Sequence, residues 1–186
     1  MDRLSKIRVS FLISGYGSNL SQILNNIQKD RSSNFIPTLI VSNKNIINKI
    51  KIKSKEINES VKILENVANL NEVNFLNSDL IFSIGYMRQI PKSIFNKFLT
   101  INLHPSILPV YKGLMTHKRM VINNEKKYGF TIHRVNQSLD DGEIIYQKVL
   151  NIRNLNEVEL QKAHKNLEIT NVYKALKKIC LSLDKF

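Results

Sequence analysis

Two polar side chains with chemical potential, Asn102 and His104, stand two residues apart at the end of an apolar run. Side chains alternate along a strand, and Pro105 keeps His104 extended, so both should point to the same side. An amide beside an imidazole can donate hydrogen bonds to the oxyanion of a tetrahedral intermediate, and histidine can also move protons near neutral pH. The pair therefore indicates acyl transfer, although an isolated Asn-x-His is more often a hydrogen-bonded loop element.

A carboxylate that could serve this pair lies in the loop of residues 138–142 (SLDDG). An aspartate hydrogen-bonded to a histidine fixes the orientation of the ring and favours its charged form, and Asp140 is the candidate. The alternative is a plain Asp-Gly hairpin turn, which the dipeptide by itself favours.

A candidate phosphate site lies at residues 15–19 (GYGSN), where a strand hands over to a helix. Glycines let the backbone approach an anion, and the N–H groups and dipole of a helix start favour negative charge. The third glycine of a dinucleotide fingerprint is replaced by Leu20, and no acidic residue follows the second strand. A single terminal phosphate is the better prediction, and an ordinary strand-to-helix turn is the alternative.

Other chemistries find less support in the residues. The three remaining histidines and Cys180 lack metal-ligand spacing, so we predict no metal. The sequence has no Gly-x-Ser-x-Gly nucleophile elbow, and its aromatic residues are too scattered to form a stacking platform for bases. These remaining histidines are His117, His133 and His164.

The first hundred residues alternate strands and helices, which predicts an α/β fold with a mainly parallel sheet. Apolar runs predict strands at residues 7–14, 35–41, 80–84 and 99–103, and Pro37 favours an edge position or a strand start for the second of them. The apolar stripe of the first helix consists of Leu20, Ile23, Leu24 and Ile27. Residues 43–77 predict a helix, a short strand near 61–64 and another helix, and Pro91 opens a short helix.

The second half of the chain does not continue the alternation of strands and helices. Strands are predicted at residues 130–135 and 144–149 around a polar loop, and this pair could be antiparallel. The tail predicts one long amphipathic helix, capped by Asn156 with Glu159 three residues on. We expect one domain over residues 1–186, with a phosphate-binding half (1–100) and a catalytic half (101–186).

The composition bounds the class of protein. The 186 residues are 42% hydrophobic and 23% charged, and no apolar run reaches the roughly 20 residues of a membrane helix. A single cysteine suits a reducing compartment, so we expect a soluble cytoplasmic protein without membrane partners. The net charge of +13 is spread among Asn and Ile residues as A/T-rich coding would spread it, although it would also attract anionic ligands.

Taken in order, several segments resemble the folate-dependent formyltransferase family, and within it the phosphoribosylglycinamide formyltransferases of purine biosynthesis. They cover roughly a third of the chain, and the Ser-Gly-x-Gly-Ser-Asn cradle is more particular to that branch than the Asn-x-His-Pro-Ser block. The segments are residues 13–20 (ISGYGSNL), 41–44 (VSNK), 84–90 (IGYMRQI), 101–117 (INLHPSILPVYKGLMTH) and 133–142 (HRVNQSLDDG).

The resemblance implies a three-layer fold with a Rossmann-like N-terminal half, and it implies roles for individual residues. Asn102, His104 and Asp140 match the catalytic triad. The residues that match the family's substrate site are Gly17, Ser18 and Asn19, at the phosphate, and Glu168, at the glycinamide end. The match for 10-formyltetrahydrofolate is Met87, Arg88, Gln89 and Ile90, together with Asn102 and the loop of Asn136, Gln137, Ser138, Leu139 and Asp140.

The chain also departs from the family pattern. Asp141 replaces a usual glycine, which implies that a position free to take positive φ has become a less permissive one. Lys112 replaces a usual proline and Met115 a usual histidine, and the region after Lys44 is short and lacks a recognisable arginine for the folate tail. These differences bear on cofactor affinity more than on chemistry.

The expected activity is transfer of a formyl group from 10-formyltetrahydrofolate to glycinamide ribonucleotide, by a monomer or homodimer that binds no nucleic acid and no metal. Two enzyme alternatives use the same folate, methionyl-tRNA formyltransferase and formyltetrahydrofolate deformylase, but each normally carries a further domain. An alternative of another class is a catalytically silent, basic nucleic-acid-binding protein on the same scaffold, which would bind RNA with steep salt dependence.

Overall fold

A computed structural model of the chain describes residues 6–151 and 155–183. The described strands form one seven-stranded sheet in the order β3-β2-β1-β4-β5-β6-β7. The strands are β1 (Ile7–Ile13), β2 (Phe35–Ser42), β3 (Lys62–Leu64), β4 (Leu80–Ser83), β5 (Thr100–His104), β6 (Lys127–Arg134) and β7 (Ile144–Asn151). The helices are α1 (Ser18–Lys29), α2 (Asn48–Ile57), a 3₁₀ turn (Glu72–Phe75), α3 (Lys92–Phe95), α4 (Thr116–Ile122) and α5 (Glu157–Leu183).

The sheet is mixed, as the sequence predicts. Its first five strands pair in parallel, while β6 is antiparallel to both β5 and β7. Neighbouring residues of β1 enter different cores, because Phe11 packs in the larger cluster, with α1 and α5, and Leu12 in the smaller one, with α3. The α/β class with helices on both faces of a mainly parallel sheet is therefore confirmed.

The two helices that frame the larger core follow their sequence patterns. The buried residues of α1 are the four that its periodicity predicts. At the start of α5, the Asn156 side chain accepts from the Glu159 N–H at 3.0 Å, and the Glu159 carboxylate accepts from the Asn156 N–H at 2.9 Å. This reciprocal pair is the predicted capping box.

Two features of the fold differ from the sequence prediction. The strand that contains Pro37 lies between β3 and β1, so the edge position was wrong. Pro37 is tolerated because β3 pairs only with the later residues Leu39 to Val41, and because the register with β1 shifts just after Pro37. The second difference is α4, for which the sequence predicts no helix, because its seven residues are too few for a clear period.

The described residues contain no helix that is long and apolar enough to cross a membrane. Cys180 is buried on the inner side of α5.

Candidate active site

The candidate site lies at the edge of the sheet where the parallel strands β1, β4 and β5 end. In an open α/β sheet, ligands bind outside the carboxyl ends of the parallel strands, so this edge is the expected binding site. Ser14 ties its parts together, because its hydroxyl donates to the Asn43 side chain at 2.6 Å and accepts from the Met87 N–H at 3.1 Å. The segments after β1, β2 and β4 are thereby held in one arrangement.

The three predicted catalytic residues come together in the structure. Asp140 Oδ2 lies 3.2 Å from His104 Nδ1, and Asp140 Oδ1 lies 3.4 Å from His133 Nε2. Asn102 Nδ2 lies 3.2 Å from the same His133 nitrogen. Asn102 and His104 are thus joined through Asp140 and a fourth side chain, His133.

His133 was missed as a site residue by the sequence analysis, which considered it only as a metal ligand. It enters the site because β6 runs antiparallel to β5 and places His133 directly opposite Asn102. Its Nδ1 lies 3.0 Å from the Arg134 carbonyl oxygen, and its Nε2 faces Asn102 and Asp140. Periodicity does not show how β5 and β6 are aligned, because a long connection joins them. The signal in the sequence is that only a short polar segment separates His133 from Asp140.

His104 is buried, and both of its ring nitrogens face oxygen acceptors. Nε2 donates to the Tyr111 carbonyl at 2.7 Å, while Nδ1 faces Asp140. Burial lowers the pKa of His104 below its ordinary value, although the Tyr111 carbonyl and the Asp140 carboxylate act in the opposite direction. Asp140 acts on His104 in the expected direction, because its carboxylate raises the pKa of the ring, but desolvation acts more strongly in the opposite direction.

Asp140 is held as an anion. Burial raises its pKa, but hydrogen bonds from His133 and from the Gly113 N–H, at 2.8 Å, outweigh burial and leave the pKa below its usual value. Asp140 itself takes the left-handed backbone conformation, with φ of 48°. Asp141, which replaces the usual glycine, is not among the positive-φ residues, and it pairs through its exposed carboxylate with Lys112.

The predicted phosphate cradle opens α1. Gly17 precedes the helix with φ of 58°, a conformation that a side chain would strain, and a Cβ there would lie 2.9 Å from the end of the Ile50 side chain and 3.2 Å from that of Ile13, which would have to shift. The first turn carries no acidic residue, and no side chain of the described ranges caps it. Its N–H groups and the exposed Ser18 hydroxyl can therefore face an anion.

Glu168 of α5 reaches the cradle directly. Its Oε2 accepts from Asn19 Nδ2 at 2.8 Å. Burial raises the pKa of Glu168, although the Asn19 hydrogen bond and the charge of Lys165 oppose this. The structure thus brings Glu168 into contact with the cradle residue Asn19, and it also lies beside His164.

The segments predicted to bind the cofactor offer an apolar and polar surface beside the cluster. Met87 and Leu139 are 70% and 73% exposed, respectively, although both are large and apolar. Ile90 is buried, whereas Arg88 donates to the Ala68 carbonyl. The remaining predicted residues are exposed side chains: Gln89, Asn136, Gln137 and Ser138.

The described residues contain no group of three or more His, Cys, Asp or Glu side chains that could hold a metal ion.

Comparisons with known proteins agree with this geometry. The family model described as formyl transferase matches residues 7–176. A phosphoribosylglycinamide formyltransferase of Haemophilus influenzae is 29% identical over 175 residues, which cover 87% of this chain and 82% of that protein. The trifunctional purine biosynthetic protein adenosine-3 of Gallus gallus is 28% identical over 161 residues, which cover 80% of this chain but only 16% of that protein.

A solved structure, the phosphoribosylglycinamide formyltransferase of Campylobacter jejuni, superimposes with a TM-score of 0.78 at 26% identity. The match covers 93% of this chain and 97% of that one. The similarity therefore extends over both the phosphate-binding and the catalytic parts of the sheet edge.

Proposed function

This chain belongs to the formyl transferase family, and we propose that it transfers the formyl group of 10-formyltetrahydrofolate to the amine of glycinamide ribonucleotide in purine biosynthesis. The observation that carries this proposal is the connection between the two sites. Asn19 of the phosphate cradle is hydrogen-bonded to Glu168, and the catalytic cluster lies at the same edge of the sheet. A phosphorylated amine would use both sites, with its phosphate at the cradle and its amine end toward the catalytic cluster.

The substrate side of the proposal depends on α1 and α5. The phosphate is held by the N–H groups of the first turn of α1, together with Ser18 and Asn19. The amine end is then next to Glu168, whose carboxylate is one hydrogen bond from the cradle. Anchoring a remote phosphate makes the attack of the amine effectively intramolecular, which can lower a barrier by several kcal/mol.

The chemical step forms a bond between the amine nitrogen and the formyl carbon and breaks the bond from that carbon to N10 of the folate. The amine loses a proton and N10 gains one. Asn102 and His104 supply donors to the oxyanion that develops on the formyl oxygen, and losing one such donor typically costs about 10²–10³ in rate. Since Nε2 of His104 donates to the Tyr111 carbonyl, the formyl oxygen must replace this carbonyl as its partner.

Asp140 orients and balances His104 in this step. Its carboxylate is ionised, because its pKa lies below the usual value, and it faces Nδ1 of His104. A negative charge there favours the protonated ring when His104 takes up a proton, even though burial opposes this in the structure. Asp140 also helps to order a water for the proton transfer from the amine to N10.

The formyl donor fits the surface between the β4 segment and the 136–140 loop. Exposed Met87 and Leu139 offer apolar contact to a flat ring system, and the backbone of residues 87–90 offers hydrogen-bonding groups. The formyl carbon then lies near Asn102 and Asp140, at the end of the β5 and β6 strands. When bound, the folate supplies the activated one-carbon unit.

The experiment is an absorbance assay of formyl transfer from 10-formyltetrahydrofolate or 10-formyldihydrofolate to glycinamide ribonucleotide. Asp140→Asn and His104→Ala should each lower kcat by about 10²–10³ or more, while circular dichroism shows a retained fold. Asp141→Asn is the matched control, since Asp141 lies in the same loop but faces Lys112 at the surface, and it should stay within about twofold of wild type.

Near-wild-type kcat in Asp140→Asn would contradict the catalytic assignment. Absence of transfer to glycinamide ribonucleotide by a folded wild-type protein that binds a folate analogue would contradict the substrate.

A further inference from the structure

A pair of histidines stands behind Glu168, and the proposed mechanism does not use it. His117 Nε2 of α4 and His164 Nδ1 of α5 lie 2.7 Å apart, with the rings nearly perpendicular at a centroid separation of 4.8 Å. His164 is only 1% exposed, whereas His117 is half-buried. The other nitrogen of His164, Nε2, lies 3.8 Å from Oε1 of Glu168.

The short contact between the two ring nitrogens is a hydrogen bond, so one of the two nitrogens must carry a proton and the other must accept it. Burial lowers the pKa of His164 to about 3, and burial also lowers the pKa of His117, so at neutral pH both rings are neutral. A neutral imidazole has a single N–H. Either His164 donates from Nδ1, and its Nε2 lone pair then faces Glu168, or His117 donates and the Nε2–H of His164 faces Glu168.

The charge of Glu168 selects between these tautomers. An N–H directed at a carboxylate is attractive, whereas a lone pair directed at it is repulsive. Ionised Glu168 therefore favours the arrangement in which His117 donates to His164 and His164 presents Nε2–H to the carboxylate. The hydrogen bond of the other nitrogen sets which nitrogen of a histidine carries the proton.

Two unsatisfied atoms point to the same place. Nε2 of His164 and Oδ1 of Asn19 are buried without a hydrogen-bond partner among the residues that the structure describes. They belong to the two side chains that contact the two oxygens of Glu168, because Asn19 Nδ2 is bonded to Oε2 and His164 Nε2 faces Oε1. A buried polar atom without a partner costs free energy, so both atoms are suited to a ligand or a closer contact at Glu168.

We propose that His164, oriented by His117, donates its Nε2–H to Glu168 when that carboxylate binds the amine end of the substrate, and is thus a positioning residue for amine recognition. This inference rests on the proposed function. The distance of 3.8 Å is longer than a hydrogen bond, but such contacts in a site often tighten in the complex or are bridged by one water.

Other charged and titratable groups surround this chain of contacts. Lys165 lowers the pKa of Glu168, while Glu157 raises that of His117. The ring of Tyr128 from β6 packs edge-on against His164 at 6.0 Å. Positive charge on His104 lowers the pKa of His164, which places the pair within electrostatic reach of the catalytic cluster.

Two substitutions of one residue separate the roles of the two ring nitrogens. In His164→Gln the amide NH₂ reaches the place of Nε2 and can still donate to Glu168, whereas in His164→Asn it reaches only the place of Nδ1. We expect His164→Asn to raise KM for glycinamide ribonucleotide roughly tenfold or more, as for a lost hydrogen bond to a charged group. His164→Gln should stay within about threefold, and in both variants KM for the folate and kcat should change little.

A merely structural role for His164 would change the Tm of the two variants without separating their KM values for the amine, and that result would overturn the proposal. A direct readout on the wild-type protein does not depend on activity. The ¹⁵N chemical shifts of His164 should show the neutral Nε2-protonated tautomer at pH 7, and the Nδ1-protonated tautomer would overturn the proposal. Failure of the proposed function is distinct, because it would appear as absent transfer in the wild-type protein.

Discussion

Two largely buried carboxylates lie at the same edge of the sheet, each next to a pair of histidines, yet their pKa values move in opposite directions. Hydrogen bonds hold the pKa of Asp140 below its usual value, whereas burial raises that of Glu168. The histidines are His104 and His133 beside Asp140, and His117 and His164 behind Glu168.

The difference lies in the number of donors that each carboxylate already has. Burial raises the pKa of both groups, but Asp140 accepts from His133 and from the Gly113 N–H, whereas within the described part of the chain the Glu168 carboxylate accepts from Asn19 alone. The Asp140 carboxylate therefore already has its hydrogen-bond donors, and it can orient the ring of His104. Glu168 has room for a further donor, which suits a group whose partner is an amine that arrives and leaves.

The largest effect that would test this comparison is the loss of the charge on Glu168. We expect Glu168→Gln to raise KM for glycinamide ribonucleotide by about 10- to 100-fold, because a hydrogen bond to a charged group is worth roughly 1.5–3 kcal/mol. The folate KM should stay within about twofold. Steady-state kinetics with each substrate varied in turn would measure both constants, and an effect confined to kcat would mean that Glu168 acts in the chemical step instead.

A smaller effect would follow from removing a hydrogen-bond donor from Asp140, so that it has one donor, as Glu168 does. His133→Phe removes one donor to Asp140, so the pKa of Asp140 should rise and the acid limb of the kcat/KM profile should move to higher pH. The measurement is a pH–rate profile of wild type and variant. An acid limb that stays in place would show that another group, not Asp140, sets the loss of activity in acid.

Much of this arrangement is contained in local sequence patterns. The stripe of α1, the capping box of α5 and the turn at Gly17 each arise within a few residues, so periodicity and turn chemistry predict them. The convergence of Asn102, His104 and Asp140 follows from alternation along β5 and from the rule that ligands bind at strand ends.

The parts that escaped prediction depend on contacts between distant segments. His133 enters the site through the register of β6 against β5, and the two residues of the His117–His164 pair are 47 positions apart on different helices. The sequence also shows the carboxylate beside His104 but not how deeply the ring is buried, and this burial lowers the pKa of the ring. Burial and register are properties of the assembled sheet, not of any one segment.

The smallest expected effect concerns stability, and it has opposite signs at the two carboxylates. Asp140 has a folded pKa below its unfolded value of about 4, so its ionised form contributes stability above that pH and loses it as the pH falls. Glu168 has a raised folded pKa, so folding favours its protonated form and its charge costs stability as the pH rises. At pH 7, Asp140→Asn should therefore lower the free energy of unfolding and Glu168→Gln should raise it.

Each change should be on the order of 1 kcal/mol, and urea denaturation at pH 7 would measure it. The two differences have to be compared at one pH, since the stability that Asp140 contributes is lost in acid. Repeating the titration near pH 4 should bring Asp140→Asn closer to wild type, because the carboxylate that the asparagine replaces is then losing its charge. Two variants that shift stability in the same direction at pH 7 would mean that folding does not move the two pKa values in opposite directions, and that the number of donors does not distinguish the two carboxylates.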